Sequence, residues 1–233
     1  MTYLPIILTF ALTVTASAHA AYEQRPILTF GSSHPPLNYL ILGDSTAAGV
    51  GADYQSGIAV MTAEELSRTH TVRMLNLAVS GARIRDVRVG QLPRIGAFSP
   101  DVVLLSVAAN DVTHLTRIAS MRTDLRAIIH ALRMKNRSVT IVATGSPDMG
   151  SPPRIPRLLR GLAARRTHNI NVMFHEEAAT DHFTVAAIAE VTGPMFRKDR
   201  SLFADDRFHP NARGYATWTA VLNKALAAAM GRR

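Results

Sequence analysis

Two short stretches near opposite ends of the chain carry residue types that fit a single reaction. In Leu40-Ile41-Leu42-Gly43-Asp44-Ser45-Thr46, a serine stands where an apolar run stops. In Asp206-Arg207-Phe208-His209-Pro210, a carboxylate precedes a histidine by three residues. A serine hydroxyl is a weak nucleophile and needs a neutral imidazole within hydrogen-bond reach. His209 would take the proton from Ser45 and return it to a leaving alcohol. Asp206, one turn before His209, can reach the other ring nitrogen, fix the tautomer and stabilise the imidazolium. Nucleophile, base and orienting acid are the minimum equipment for acyl transfer through serine. Each residue also has a plainer reading. Ser45 can be a helix N-cap, His209-Pro210 a helix entry, and Asp205 competes with Asp206, although the three-residue spacing favours Asp206.

Elements that could bring the two ends together alternate along the chain. Asn38–Leu42 reads as a buried strand, Ala59–Arg68 as a helix and Val72–Leu77 as a second strand. A third strand is expected at Leu104–Ala108 and an amphipathic helix at Met121–Lys135, with Leu125, Ile128, Ile129 and Leu132 at helical spacing. Val139–Ala143 reads as a fourth strand, Leu158–Arg166 as a helix and Val172–Phe174 as a short fifth strand. Asn211–Met230 is expected to be a long helix opened by Pro210. Strands alternating with helices predict a three-layer α/β/α fold around a central parallel, about five-stranded, flavodoxin-like sheet. In such sheets, sites lie beyond the carboxyl ends of the strands. Ser45, Ser80-Gly81 and Asn110 fall just after the first, second and third strands, so three strand ends aim polar groups at one rim.

In this arrangement the chain resembles the SGNH, or GDSL-type, hydrolases, a family named for a Ser, a Gly, an Asn and a His in four separate blocks. Gly43-Asp44-Ser45 matches the first block, with Thr46 where leucine is usual. Asn76-Leu77-Ala78-Val79-Ser80-Gly81-Ala82 matches the second. Ala108-Ala109-Asn110-Asp111 matches the third, with Ala108 in place of a glycine, and Asp206 to Pro210, followed by Asn211 to Tyr215, matches the last. A Gly-Asp-Ser tripeptide alone says little; four blocks in order, each at an expected strand or helix end, say much more. The resemblance implies a metal- and cofactor-free serine hydrolase of the esterase or lipase kind, with a catalytic triad of Ser45, Asp206 and His209. Its substrates would be small-molecule, lipid or glycan esters. Backbone N–H groups of Ser45 and Gly81 and the side-chain amide of Asn110 can form the oxyanion hole. Losing one such donor typically costs about two to three powers of ten in rate. Ala108 adds a methyl group there and is expected to crowd the site slightly. Asp44 is expected to hold the serine turn through backbone hydrogen bonds, and Asp111 to support its own loop. Acyl transfer or thioester cleavage would use the same residues, and a catalytically weak relative could bind polysaccharide or anionic lipid instead. Acyl and alcohol specificity and oligomeric state are not legible.

Competing motifs are poorer. Gly43-Asp44-Ser45-Thr46-Ala47 approaches the α/β-hydrolase elbow, but there the serine sits mid-chain and the acid lies far from the histidine. His175-Glu176-Glu177 starts like a zinc helix, yet Ala179 occupies the second ligand position, and a metal site from His175, Asp181 and His182 is not expected. Gly49-Val50-Gly51 lacks the rest of a dinucleotide loop.

The 233 residues fit one domain of ordinary size. Hydrophobic residues make up 47% and charged residues 18%, which permits a large core and argues against global disorder. Cysteine is absent, which excludes disulfides and thiolate catalysis. Residues 1–20 combine an apolar run with the small-x-small patterns Ala16-Ser17-Ala18 and Ala18-His19-Ala20, so a cleaved export signal is expected, with an uncleaved membrane anchor as the alternative. Residues 21–36 read as a polar lead-in and 37–233 as the catalytic domain. The formal net charge of +9 implies attraction to anionic surfaces, but no nucleic-acid motif accompanies it and no nucleic-acid partner is expected. Arg154, Arg157, Arg160, Arg165 and Arg166 read first as a solvated helix face whose charges suit a helix C-terminus, and second as a rim for an anionic substrate. Arg83, Arg85 and Arg88 raise the same question nearer Gly81. Gly150–Pro156 and Thr184–Leu202 are expected to be loops that wall the pocket.

Overall fold

A computed structural model describes residues 26–32 and 34–231; the expected export signal lies outside the described residues. The strands are β1 (Leu28–Phe30), β2 (Pro36–Gly43), β3 (Thr71–Asn76), β4 (Val102–Ser106), β5 (Thr140–Ala143) and β6 (Thr184–Val185). They form one sheet in the order β1-β3-β2-β4-β5-β6. Every pairing is parallel except that of β1 with β3. Counting the five parallel strands alone, the order is 2-1-3-4-5, the flavodoxin-like winding, which puts a topological switch point at the end of β2. Ser45 stands at that point.

The helices are α1 (Ser45–Ala48), α2 (Ile58–Leu66), α3 (Ile84–Asp86), α4 (Ala109–Thr113), α5 (Ile118–Lys135), α6 (Arg160–Asp181), α7 (Ile188–Lys198) and α8 (Ala212–Met230). Central strands are buried on both faces, which is why they read as unbroken apolar runs. In β2, Leu40 and Leu42 pack into one core with Leu125, Ile128 and Leu132 of α5 and Phe174 of α6. Tyr39 and Ile41 point the other way, into a second core with Ile58 of α2 and Trp218 and Leu222 of α8. The alternation of successive residues between the two cores is the period of a strand.

Four elements depart from the sequence expectation. Within the stretch read as a lead-in, Leu28–Phe30 adds an antiparallel edge strand to β3. Val172–Phe174 is not a strand but lies inside α6, where Ile170, Met173, Phe174 and Glu177 are buried at helical spacing and Val172 faces out. Its short apolar run imitates a strand because one buried helix face happens to supply two adjacent residues there. The fifth parallel strand is instead Thr184–Val185, paired with Val142 and Ala143 of β5. The stretch 184–202, expected to be a loop, also contains α7, in which Ile188, Thr192, Gly193 and Phe196 are buried. Gly193-Pro194 disguises that helix in the sequence, both residues being poor helix formers.

Candidate active site

Strand β2 ends at Gly43, and the chain turns at once into α1. Asp44, not Ser45, is the N-cap: its Oδ1 accepts from the Thr46 N–H at 2.9 Å and from the Thr46 hydroxyl at 2.8 Å. Ser45 is therefore the first helical residue and its hydroxyl is not spent on capping. Gly43 is required by close approach, because a Cβ there would lie 1.9 Å from the Ser106 carbonyl oxygen. Gln91 clasps the same residue, accepting from the Gly43 N–H at 2.9 Å and donating Nε2–H to the Gly43 carbonyl at 2.7 Å. No local signal in the sequence marks Gln91, since the contact spans 48 residues. Burial pushes the Asp44 carboxyl up to about 6, against the pull of the two Thr46 hydrogen bonds.

The other end of the chain meets this turn. His209 Nε2 lies 2.9 Å from Ser45 Oγ across 164 residues of sequence. His209 Nδ1 faces Asp206 Oδ2 in a short hydrogen bond. Asp206 Oδ1 accepts from the backbone N–H groups of Phe208 at 2.9 Å and His209 at 3.0 Å. Partial burial raises the Asp206 carboxyl, but these hydrogen bonds outweigh it and hold the group below its ordinary range. Asp206 is thus the acid in contact; Asp205 is exposed. The turn is held from behind. Arg207 adopts a left-handed φ of 58°, its N–H donates to the Ala204 carbonyl at 2.8 Å, and the Ala204 N–H donates to the His209 carbonyl at 2.9 Å. Phe208 sets its ring edge-on to the imidazole, with centroids 5.1 Å apart.

Gly81 and Asn110 arrive from the ends of β3 and β4. Gly81 has φ +83°, a conformation that favours glycine, and open space where a Cβ would project. Neither its N–H nor that of Ser45 meets an acceptor among the described residues. Asn110 Nδ2 donates to the Ala82 carbonyl at 3.0 Å, which fixes the amide against the Gly81 loop and leaves a second N–H free. Asp111 accepts from the Ile84 N–H at 3.0 Å and so supports that loop. Ala108 is fully buried at φ +102°. Holding an alanine at this φ costs backbone strain.

A cavity of about 30 Å³ opens beside Ser45, Asn110 and His209, walled by Met149, Phe208 and Trp218 among others. Asp148 lies in its wall, and its carboxylate is held by Arg197 Nε at 2.6 Å. Among the described residues no cluster of three metal-ligating side chains occurs; Glu176 and Glu177 of the zinc-like stretch are engaged by Arg122, and Glu177 also by Arg126. The arginine-rich stretch divides. Arg160 donates to the carbonyls of Ile155 and Pro153, each at 3.0 Å, and Arg166 to that of Thr116, whereas Arg154, Arg157 and Arg165 are exposed. Because α6 runs on to Asp181, these charges sit at its N-terminal end, opposite to the dipole-favourable placement expected. Near Gly81, Arg83 pairs with Asp86 and Arg88 with Asp124, while Arg85 is exposed.

Residues 41–217 match the sequence pattern of the GDSL-like lipase/acylhydrolase family. A GDSL-like esterase of Mycobacterium tuberculosis is 28% identical over 198 residues; the match covers 82% of this chain and 62% of that protein, so the chain spans less than two thirds of that relative's length. Among solved structures, TesA superposes with a TM-score of 0.68 at 17% identity, over 82% of this chain and 99% of the other. The extracellular lipase of Streptomyces rimosus superposes with a TM-score of 0.62 at 23% identity, over 81% of this chain and 99% of the other. At these identities the two structural likenesses are likenesses of fold.

Proposed function

Since the chain belongs to the GDSL-like lipase/acylhydrolase family, we propose that it hydrolyses carboxylic esters through an acyl-enzyme formed on Ser45. The observation that carries this reading is the continuous contact from Ser45 Oγ through both nitrogens of His209 to Asp206. Ser45 Oγ attacks the ester carbonyl carbon while His209 Nε2 takes its proton. The imidazolium is stabilised by Asp206, which stays ionised because its hydrogen bonds favour the charged form. Negative charge gathers on the former carbonyl oxygen, where the N–H groups of Ser45 and Gly81 and the free amide hydrogen of Asn110 can meet it. Collapse expels the alcohol, which takes the proton from His209. Water, deprotonated by the same imidazole, then attacks the acyl carbon, releases the carboxylic acid and restores Ser45.

Rapid mixing with p-nitrophenyl acetate tests this scheme. A burst of p-nitrophenol equal to the enzyme concentration, with an acetyl group recovered on the Ser45 peptide by mass spectrometry, is the expected result. Turnover that persists in Ser45→Ala, or an acetyl group recovered at another residue, would overturn it. A panel of acyl lengths, thioesters and acetylated sugars then assigns the substrate class.

A further inference from the structure

The exposed part of the arginine-rich stretch is joined to a patch of exposed leucines beside the cavity. Leu158 is 96% exposed and Leu162 is 58% exposed, so both present apolar surface to solvent. Leu162 and Arg165 stand at i and i+3 in the first turns of α6, a spacing that puts them on one face, and Leu158 stands in the turn Arg157–Leu159 just before them. Leu159 is also exposed, and Leu115 joins from the end of α4, where Arg166 binds the neighbouring Thr116 carbonyl and so ties that loop to α6. Arg154, Arg157 and Arg165 are exposed among these leucines. From residue 149 to residue 175 the sequence has no aspartate or glutamate, so nothing within this stretch neutralises them.

The patch adjoins the mouth of the cavity. Ser151 and Pro152, just before Arg154, line the cavity, and the Arg154 N–H donates to the Arg207 carbonyl at 3.0 Å, within the turn that carries Asp206 and His209. Exposed leucines interleaved with arginines that meet no carboxylate among the described residues are the surface chemistry of an element that lies in the headgroup region of an anionic bilayer, with apolar groups entering the acyl boundary and guanidinium groups meeting lipid phosphates. We infer that the surface formed by Leu115, Arg154 to Leu162 and Arg165 docks on an anionic lipid membrane and turns the cavity mouth toward it. A docked enzyme would meet esters that partition into the bilayer without their having to dissolve.

Co-sedimentation of the full chain with phosphatidylcholine vesicles, and with vesicles carrying about 30% phosphatidylglycerol, tests this without requiring any catalysis. The variants are Leu158→Asp/Leu162→Asp and Arg154→Gln/Arg157→Gln/Arg165→Gln; they share the wild-type N-terminus, so differences report the patch alone. Tighter binding to the anionic vesicles, weakened by salt, is expected. The leucine variant should bind about tenfold less tightly or worse, and the arginine variant should lose about fivefold per charge removed, on anionic vesicles only. Both should hydrolyse a soluble short-chain ester at the wild-type rate, which separates this inference from the proposed chemistry. Wild-type binding that does not distinguish the two vesicles, or variants that bind as well as wild type, would overturn it. So would a self-associated wild type that the leucine variant makes monomeric with vesicle binding unchanged, since the patch would then be an interface between copies of this chain.

Discussion

Asp44→Asn should make the protein more stable at neutral pH and change how stability depends on pH. The Asp44 carboxyl is buried and titrates at about 6 in the folded chain, against 3.8 for the free side chain. Between those values the folded state holds a proton that the unfolded state has released, so stability falls as pH rises through this window and levels off above it. A difference of about two pKa units corresponds to ~3 kcal/mol. Asparagine cannot ionise, yet its carbonyl oxygen can still accept from the Thr46 N–H, and it caps helices as well as aspartate does. Urea unfolding at half-unit steps from pH 4 to pH 7 reads the effect. The stability of the variant minus that of wild type should climb by about 2.4 kcal/mol across the series, the rest of the difference lying below pH 4, with contributions common to both proteins, such as that of Asp206, cancelling. A difference that stays flat, or falls with pH, would refute the assignment of a buried, ionisation-resistant carboxyl to the cap of α1.

Three further outcomes follow from single contacts. Asp206→Asn should lower kcat by about a thousandfold or more while leaving the circular dichroism spectrum and KM nearly unchanged, because the amide favours the wrong tautomer of His209. Gln91→Leu should destabilise the fold by about 2 kcal/mol in urea unfolding, since the Gly43 N–H loses its acceptor at the start of the serine turn, and esterase activity should fall with it. Ala108→Gly should leave stability within about 1 kcal/mol of wild type: relief of roughly 1–2 kcal/mol of left-handed strain is offset by the buried methyl group and by the greater chain entropy of glycine. A loss above about 2 kcal/mol would show that the methyl packing, not the backbone, governs this position.

The long parallel strands and the helices α5 and α8 were legible because burial on two faces or on one stripe leaves an unambiguous period in the sequence. Ser45, Gly81, Asn110, Asp206 and His209 could be proposed as site residues because their blocks stand at the ends of those elements, and the fold brings Ser45, His209 and Asp206 into hydrogen-bond contact. What escaped was set by partners distant in sequence. Thr184–Val185 is too short to carry a strand pattern and exists as a strand because β5 offers a free edge. Val172–Phe174 has strand-like composition, but the helix that contains it is held by Ile170, Met173 and Phe174 packing into the core. Gln91 likewise depends on how Gly43 is enclosed, which no local spacing encodes, whereas the hold of Asp44 on the serine turn, two residues from its partner, was legible. The arginine stretch could be read only once α6 was seen to continue to Asp181, which reversed the end of the helix on which those charges sit.

The central claim is that Ser45 is the nucleophile, and stoichiometric labelling with a fluorophosphonate tests it most directly. Intact-mass and peptide analysis should find one phosphonyl group per folded chain, on Ser45, and none on Ser45→Ala. Folded wild-type protein that remains unlabelled from neutral to alkaline pH, or that carries the label on another residue, would contradict it.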